Sequence, residues 1–239
     1  MKKIHIFGID IEKIENLKCK LEKYDFIYSE DSPELVICYG GDGIFLIAER
    51  VFPGIPKIFI KGSKVSNKGY DIKVEEVIER YLRKEFTIQN LKKIKATCKG
   101  RFETKELIGV NDIVIRNTLP TEAIRFKVWI NGKEIESRLG EFIGDGVVVS
   151  TVYGSSKGAY FYSITKESFD EGIGLAFNNI TEKKEMQIVS DGKIEIEIMR
   201  GPGVLVADNN RDFINLEKGD KILIEEVNSY AKRIVLNHI

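Results

Sequence analysis

A short apolar run that ends in three glycines constrains this chain more than any other stretch. Leu35–Tyr39 leads directly into Gly40-Gly41-Asp42-Gly43, and a helical pattern begins near Ile44. The glycines allow backbone amides to approach an anion closely, and the start of the helix presents unpaired amides and a positive dipole end to the same point. The turn is therefore a candidate phosphate site.

Asp42 is the acidic residue of this turn. A carboxylate beside a phosphate is repulsive unless it holds a metal, accepts a proton or bonds a hydroxyl, and each of these is a task in phosphoryl transfer. The alternative is an ordinary Asp-Gly turn between a strand and a helix. Asp42 is thus a candidate catalytic residue, and Gly41 and Gly43 are candidate ligand-binding positions.

The composition excludes several classes of function. The chain has 239 residues, and its 37 Lys and Arg balance its 37 Asp and Glu, which argues against a general nucleic-acid binder. No apolar run is long enough to span a bilayer, and we expect no secretory start. Three cysteines and two histidines lack metal-site spacing, so we predict no protein metal site and a cytoplasmic, reducing location.

The spacing of apolar residues along the chain changes near Leu91. Before this residue, strand patterns at 3–8, 35–39 and 55–60 alternate with helical patterns at 11–24, 44–51 and 74–82, which predicts a parallel sheet with covered faces. After it, short alternating runs and a hairpin signal at Asn131-Gly132 predict a mainly antiparallel β domain. We predict an α/β domain over 1–91, a β-rich domain over 92–228, and a tail, 229–239, as a candidate to return to the first domain.

Two further polar clusters interrupt the β-rich part. Asn111-Asp112 puts an amide and a carboxylate at a strand entrance, which suits a sugar hydroxyl or a base edge, although such a pair also suits a turn. The other cluster brackets the apolar run Val147–Val149 with Gly144-Asp145-Gly146 before it and small hydroxyl residues after it. This composition suits a polyanionic or ribose-bearing ligand, and a solvated loop is the alternative. The candidate ligand-binding residues of this cluster are Asp145, Thr151, Ser155, Ser156, Lys157, Gly158 and Tyr160.

Together and in this order, the three clusters resemble the NAD kinase family. That family carries a Gly-Gly-Asp-Gly-Thr turn, an Asn-Glu or Asn-Asp pair before a strand, and an Asp-Gly, apolar, Ser-Thr-Pro-Thr-Gly-Ser-Thr-Ala-Tyr stretch. Gly144–Thr151, followed by Gly154-Ser155, matches the last of these. The resemblance covers most of the chain and implies an NAD kinase-like fold, with a Rossmann-like α/β N-terminal domain and a mainly antiparallel β C-terminal domain.

The resemblance implies phosphoryl transfer from ATP, or from polyphosphate in some members, to the 2′-hydroxyl of the adenosine ribose of NAD, giving NADP. Asp42 would be the general base, and Gly41 and Gly43 would keep the turn open to phosphates. Asn111 and Asp112 would contact the nucleoside part, and Asp145 the nicotinamide side. Ser155, Ser156 and the residues after them would line the adenine and ribose site. We expect Asp42, the Asn111-Asp112 pair and Asp145 to face one cavity.

The resemblance also implies partners. Mg²⁺ or another divalent cation would accompany ATP, and no nucleic acid or membrane would be bound. Members of the family are homodimers or homotetramers whose sites are completed across subunits, so we expect a homo-oligomer.

The chain departs from the family pattern at several positions. Ile44 stands where the family has threonine, Val152-Tyr153 replaces Pro-Thr, and the glycine-rich segment expected after the strand at Ile58 is eroded at 61–65. In an ungapped match Ser156-Lys157-Gly158 replaces Thr-Ala-Tyr, whereas two inserted residues would put Ala159-Tyr160 on Ala-Tyr. Lys157 either supplies a cation for a phosphate or points into water.

These departures keep two alternatives open. One is a catalytically silent dinucleotide-binding sensor. The other is a kinase of the same superfamily that acts on a nucleoside, sugar or lipid hydroxyl. The retained acid at Asp42 favours catalysis, because a silent binder needs no base at the turn.

Overall fold

The structure, a computed structural model, describes residues 2–62, 68–190 and 192–237. The chain divides into two compact units, one of Met1–Leu91 with Tyr230–Ile239 and one of Lys92–Ser229. Of the segment 61–65, where the glycine-rich pattern is eroded, residues 63–65 lie outside the described part of the chain.

The first unit is built on a parallel sheet. Its elements, in chain order, are β1 (Lys2–Phe7), α1 (Ile11–Leu21), β2 (Phe26–Tyr28), β3 (Leu35–Gly40), α2 (Asp42–Val51), β4 (Lys57–Lys61) and α3 (Val74–Leu82). The strands lie in the order β4-β3-β1-β2, and all three pairs are parallel. Helix α1 leads from β1 to β2, and α2 leads from β3 to β4. Because these two connections depart in opposite directions, the topological switch point lies between β1 and β3.

Alternating residues of the strands face the two helical layers. One apolar cluster joins Ile37 of β3 and Ile60 of β4 to Leu17 of α1 and Val77 of α3. On the other face, the ring of Phe59 in β4 lies 6.4 Å from that of Phe45 in α2. This alternation follows from the period of a strand, and the burial of both faces explains why the run at 35–38 is continuously apolar.

The second unit is a mainly antiparallel β structure. Its elements, in chain order, are β5 (Phe86–Lys99), β6 (Thr104–Gly109), β7 (Asp112–Asn117), β8 (Ile124–Ile130), β9 (Lys133–Glu134), β10 (Phe142–Thr151), α4 (Tyr160–Thr165), β11 (Ile173–Ile180), β12 (Gln187–Val189), β13 (Lys193–Arg200), β14 (Gly203–Ala207), β15 (Ile214–Leu216) and β16 (Lys221–Leu236). Strand β5 begins in the first unit, and β16 ends in it. Near that end, Arg233 pairs in parallel with Lys57 of β4.

Strand β10 is the centre of the second unit. It pairs antiparallel with β8 at its start, then with β7, and along its other edge with β11. Val147 and Val149 join the main core, while Val148 faces Phe161 of α4. The fold class predicted from the sequence, a parallel α/β domain followed by a mainly antiparallel β domain, is confirmed.

Candidate functional site

The glycine turn joins β3 to the N-terminus of α2. Gly41 is the N-cap of the helix and has extended backbone (φ −89°, ψ 174°); as a glycine it supplies no capping side chain of its own. Gly40 has a φ of +155°, and a Cβ there would lie 2.7 Å from Cγ1 of Ile44. A glycine is therefore required at position 40, and the turn leads directly into a helix N-terminus, the kind of backbone arrangement that can accept an anion.

Three strands converge closely at this edge. A Cβ on Gly8, just after β1, would lie 2.9 Å from the carbonyl oxygen of Tyr39, and one on Gly62, just after β4, would lie 3.0 Å from Cα of Gly40. The amide of Gly62 also donates to the carbonyl of Gly40 at 2.9 Å. These glycines bring the carboxyl ends of the strands together beside the switch point, where α/β sheets bind their ligands.

Asp42 lies in the first turn of α2 and is half-buried. The backbone amide of Lys68 donates to its Oδ1 at 3.1 Å, and the carbonyl of Lys68 accepts from Nη2 of Arg233 at 2.6 Å. The segment after β4 and the last strand are thus tied to the carboxylate. These contacts orient the Asp42 carboxylate at the N-terminus of α2.

Two neighbours of the turn take no part in such chemistry. Ile44, which stands where the resembled motif has threonine, is buried and packs its side chain over Gly40. Burial raises the pKa of the Cys38 thiol to about 12, so this cysteine remains protonated and is not a nucleophile.

In the second unit, the carboxylate of Asp208 holds the Asn111-Asp112 pair. Oδ1 of Asp208 accepts from the backbone amides of Val110 at 3.1 Å, Asn111 at 2.7 Å and Asp112 at 3.2 Å, and Oδ2 accepts from Val110 at 2.9 Å. The amide of Asp208 donates back to the carbonyl of Asp112 at 2.9 Å. From the sequence, Asp208-Asn209-Asn210 resembles a late Asp-Gly turn that the NAD kinase family has near its site, and an ordinary β-turn is the favoured alternative. We call these contacts of the Asp208 carboxylate the Asp208 clamp. The backbone of Asp208 has a φ of +50°, a conformation that Asp and Asn adopt more readily than most other residues.

The loop after β10 holds the same pair from the other side. Thr151 donates its hydroxyl to the carbonyl of Val110 at 2.6 Å and its amide to the carbonyl of Asn111 at 2.8 Å. Ser150 donates its hydroxyl to the same Asn111 carbonyl at 3.1 Å. A Cβ on Gly154 would lie only 2.0 Å from that oxygen, so glycine is required there. The second and third sequence clusters are therefore built into one local structure.

The predicted ligand residues of this loop differ in exposure. Thr151 and Ser155 are buried, and the Ser155 hydroxyl donates to the carbonyl of Val152 at 2.9 Å and accepts from the amide of Phe169 at 3.3 Å. Both hydroxyls are thus used in building the loop. The Ser156 hydroxyl is likewise bonded, to the carbonyl of Tyr153 at 2.8 Å.

The residues that follow are open to solvent. Lys157 and Gly158 are exposed, and Gly158 has a φ of +95°. Tyr160 begins α4, is 38% exposed, and its hydroxyl accepts from Nδ2 of Asn178 at 3.1 Å. The side chains of Lys157 and Tyr160 are thus accessible to solvent on this loop.

Asp145 lies apart from the Asn111-Asp112 pair. It sits within β10, where pairing changes from β8 to β7, and its carboxylate accepts from Nδ2 of Asn179 at 3.1 Å and of Asn117 at 3.4 Å. Ser150, five residues further along β10, pairs with Asp112, so the two acids are about 17 Å apart along the strand. Asp145 and the Asn111-Asp112 pair thus lie toward opposite ends of β7, and the expectation that they face one cavity stays a prediction.

The described residues contain neither a cluster of metal-ligating side chains nor a membrane-spanning helix. Within residues 2–62, 68–190 and 192–237, no three His, Cys, Asp or Glu side chains converge as a metal site. In the same part of the chain, no helix is long and apolar enough to cross a membrane. Cys19 is exposed, and Cys38 and Cys98 are buried, all three as free thiols.

Comparisons with known proteins give a consistent result. No protein-family model matches the chain. A bifunctional NADP phosphatase/NAD kinase of Methanococcus maripaludis is 24% identical over 94% of this chain, which spans only 41% of that protein. An NAD kinase of Aquifex aeolicus is 29% identical over 80% of this chain and 72% of its own length.

Two solved structures share the fold. Yeast NADH kinase complexed with NADH aligns with a TM-score of 0.81 at 15% identity, over 98% of this chain and 83% of the yeast chain. An NAD kinase from Archaeoglobus fulgidus in complex with ATP aligns with a TM-score of 0.78 at 18% identity, over 98% of this chain and 93% of that one.

Proposed function

We propose that this chain, a divergent member of the NAD kinase family, transfers the terminal phosphoryl group of ATP to the 2′-hydroxyl of the adenosine ribose of NAD and so forms NADP. The observation that carries the proposal is the glycine turn, where Asp42 stands in the first turn of α2 directly after the N-cap Gly41. A base and an anion-accepting backbone at one point are what a hydroxyl-directed phosphoryl transfer requires.

In the proposed reaction, Asp42 accepts the proton of the 2′-hydroxyl as the ribose oxygen attacks the γ-phosphorus, and ADP leaves with the electrons of the broken P–O bond. A well-positioned general base contributes about 10²- to 10⁴-fold to the rate. The contact between Lys68 and Asp42 supports this role, because the backbone amide of Lys68 fixes the orientation of the carboxylate.

The remaining site residues are proposed binding groups. Asn111 and Asp112 would contact the nucleoside part, with their backbone held by Asp208 and Thr151. Asp145 would bind the nicotinamide side. The adenine and ribose site would be lined by residues that follow β10, namely Ser155, Ser156, Lys157, Gly158 and Tyr160.

Magnesium fits this arrangement as a companion of the nucleotide. Because Mg²⁺ is usually held by substrate phosphates and one or two carboxylates, it needs no dedicated cage, and none is formed by the described residues. The ion would neutralise phosphate charge during transfer.

The assembly and the compartment stay predictions. We propose a homodimer or homotetramer, which light scattering coupled to size-exclusion chromatography tests directly. The cytoplasmic location rests on the three free cysteines.

The sensor alternative has one observation in its favour. Buried Ile44 lies at the turn where the resembled motif has a threonine hydroxyl, so a phosphate would lose one hydrogen-bond donor there. A silent protein would bind NAD with this turn but transfer nothing.

A direct assay separates these functions. Purified protein is incubated with Mg²⁺, NAD and either ATP or polyphosphate, and NADP is measured with an NADP-specific dehydrogenase. Parallel reactions replace NAD with NADH or with a nucleoside. NADP formation supports the proposal and identifies the donor. Binding of NAD without product from any donor favours the sensor, and phosphorylation of the nucleoside alone favours the superfamily kinase.

A further inference from the structure

A lysine-rich cleft lies within the first unit, on the face of the sheet that α1 and α3 cover. The cavity has a volume of about 420 Å³ and is lined by α1, the ends of β3 and β4, and the start of α3. We define this lysine cleft by Lys13, Lys20, Lys61 and Lys73. A volume of this size is within the range of small-molecule sites, which run from about 300 to 1,000 Å³.

The charge of the cleft is strongly unbalanced, although the whole chain is neutral. Its lining holds four lysines and one acid, Glu75. Lys13 pairs with Asp10 at 3.1 Å and Lys61 with Asp71 at 3.0 Å, but Asp71 is 83% exposed. In the part of the chain that the structure describes, Lys20 and Lys73 form no ion pair. Like charges gathered around one cavity favour the binding of an anion.

The four lysines lie on elements that border the cleft. Lys13 and Lys20 are seven residues apart on α1, so they share the face that also carries Leu17. Lys61 ends β4 in register with Gly40. Lys73 is the N-cap of α3, and its side chain does not bond to the helix amides. The first amides of α3 therefore add donors beside the lysines.

The floor of the cleft is apolar. Leu17 and Ile60 are buried, and Ile72 and the ring of Tyr39 are half-buried beside them. Asn16 adds an amide at the rim, which can both donate and accept. A bare inorganic anion would leave this apolar surface uncovered, whereas a phosphorylated ligand with a planar ring would use both parts.

We propose that the lysine cleft is a second nucleotide site, which binds a nucleoside phosphate with its phosphates on the lysines and its base on the apolar floor. The site is separate from the glycine turn, and the proposal does not depend on phosphoryl transfer at Asp42. Because the lysines are largely exposed, the affinity should fall as salt rises.

The test maps ligand binding residue by residue. ¹H–¹⁵N NMR spectra of the full chain are recorded during titration with ADP, and separately with inorganic pyrophosphate. The double variant Lys20→Gln/Lys73→Gln removes two cleft charges. The control Lys18→Gln/Lys23→Gln removes two lysine charges that pair with Glu15 and Glu79 outside the cleft. Circular dichroism verifies that each variant is folded.

The expected result is a set of shifts at the amides of 13–20 and 73–75, distinct from any at 41–44, with ADP binding more tightly than pyrophosphate. The cleft variant should weaken ADP binding at these amides about tenfold, because each exposed ion pair contributes a few-fold, and the control should leave it unchanged. Absence of shifts at these amides, equal weakening by both variants, or equal affinity for ADP and pyrophosphate would overturn the proposal. If the protein forms no NADP, that result bears on the reaction proposed at the glycine turn and not on nucleotide binding in the lysine cleft.

Discussion

Replacing Asp208 with alanine tests whether this carboxylate holds the Asn111-Asp112 pair in place. In the native structure the carboxylate accepts from three successive amides, at distances of 2.7–3.2 Å. Val110 and Asp112 are 3% and 5% exposed, so water cannot readily replace the lost acceptor at these two positions. Alanine also tolerates the native φ of +50° less well than Asp or Asn does.

The magnitude follows from these contacts. Hydrogen bonds to a charged group contribute about 1.5–3 kcal/mol each, and Asp208 is itself half-buried, so partial hydration offsets some of the loss. We expect Asp208→Ala to lower the free energy of unfolding by about 3 kcal/mol, to which the backbone strain adds about 1 kcal/mol. Asp208→Asn is the matched variant. It keeps the size, the tolerated φ and one acceptor oxygen, so we expect a loss of about 1–2 kcal/mol.

Two assays measure the effect. Urea unfolding gives the global stability, and native-state hydrogen exchange reports the protection of the amides of Val110, Asn111 and Asp112. Protection at these amides should fall most in Asp208→Ala and less in Asp208→Asn, and NAD should bind more weakly in the same order. A stability loss below about 0.5 kcal/mol in Asp208→Ala, the range of an ordinary surface substitution, would refute the clamp.

Three further predictions concern packing and reactivity. Gly154→Ala should lower stability by about 3 kcal/mol in urea unfolding, because its Cβ meets a backbone carbonyl at 2.0 Å; a neutral effect would contradict the tight approach. Lys57→Met should lower the free energy of unfolding by about 3–5 kcal/mol, because the substitution removes the ammonium group that pairs with the carboxylate of Glu49, which is 2% exposed; a stabilised variant would contradict this. Iodoacetamide at pH 8 should label exposed Cys19 rapidly and Cys38, whose pKa is about 12, only after unfolding, as mass spectrometry can verify.

Local sequence patterns predicted much of the fold because they reflect local physics. The apolar run before the glycine turn is β3, and the helical pattern after it is α2, which begins two residues earlier than the pattern suggested. The change near Leu91 from alternating strands and helices to short alternating runs is reflected in the two kinds of sheet. The resemblance to the NAD kinase family is confirmed by the curated relatives and the structural neighbours.

Contacts between distant parts of the chain could not be predicted in the same way. Asp145 lies inside the ten-residue strand β10, at the point where pairing changes from β8 to β7, whereas the sequence predicted only a short strand at Val147–Val149 after Gly144-Asp145-Gly146. The clamp by Asp208 joins residues 96 positions apart at Asp112, and no local pattern encodes it. The buried hydroxyls of Thr151 and Ser155 likewise depend on tertiary partners.

The most direct test of the central claim is the turnover of Asp42→Asn with NAD and the phosphoryl donor that supports the wild-type reaction. Asparagine keeps an oxygen that can accept from the Lys68 amide, at 3.1 Å in the native structure, but it cannot take the proton of the 2′-hydroxyl. We expect kcat to fall about 10²- to 10⁴-fold while the dissociation constant for NAD, measured by calorimetry, changes less than about threefold. An unchanged kcat in the folded variant would contradict the assignment of Asp42 as the base.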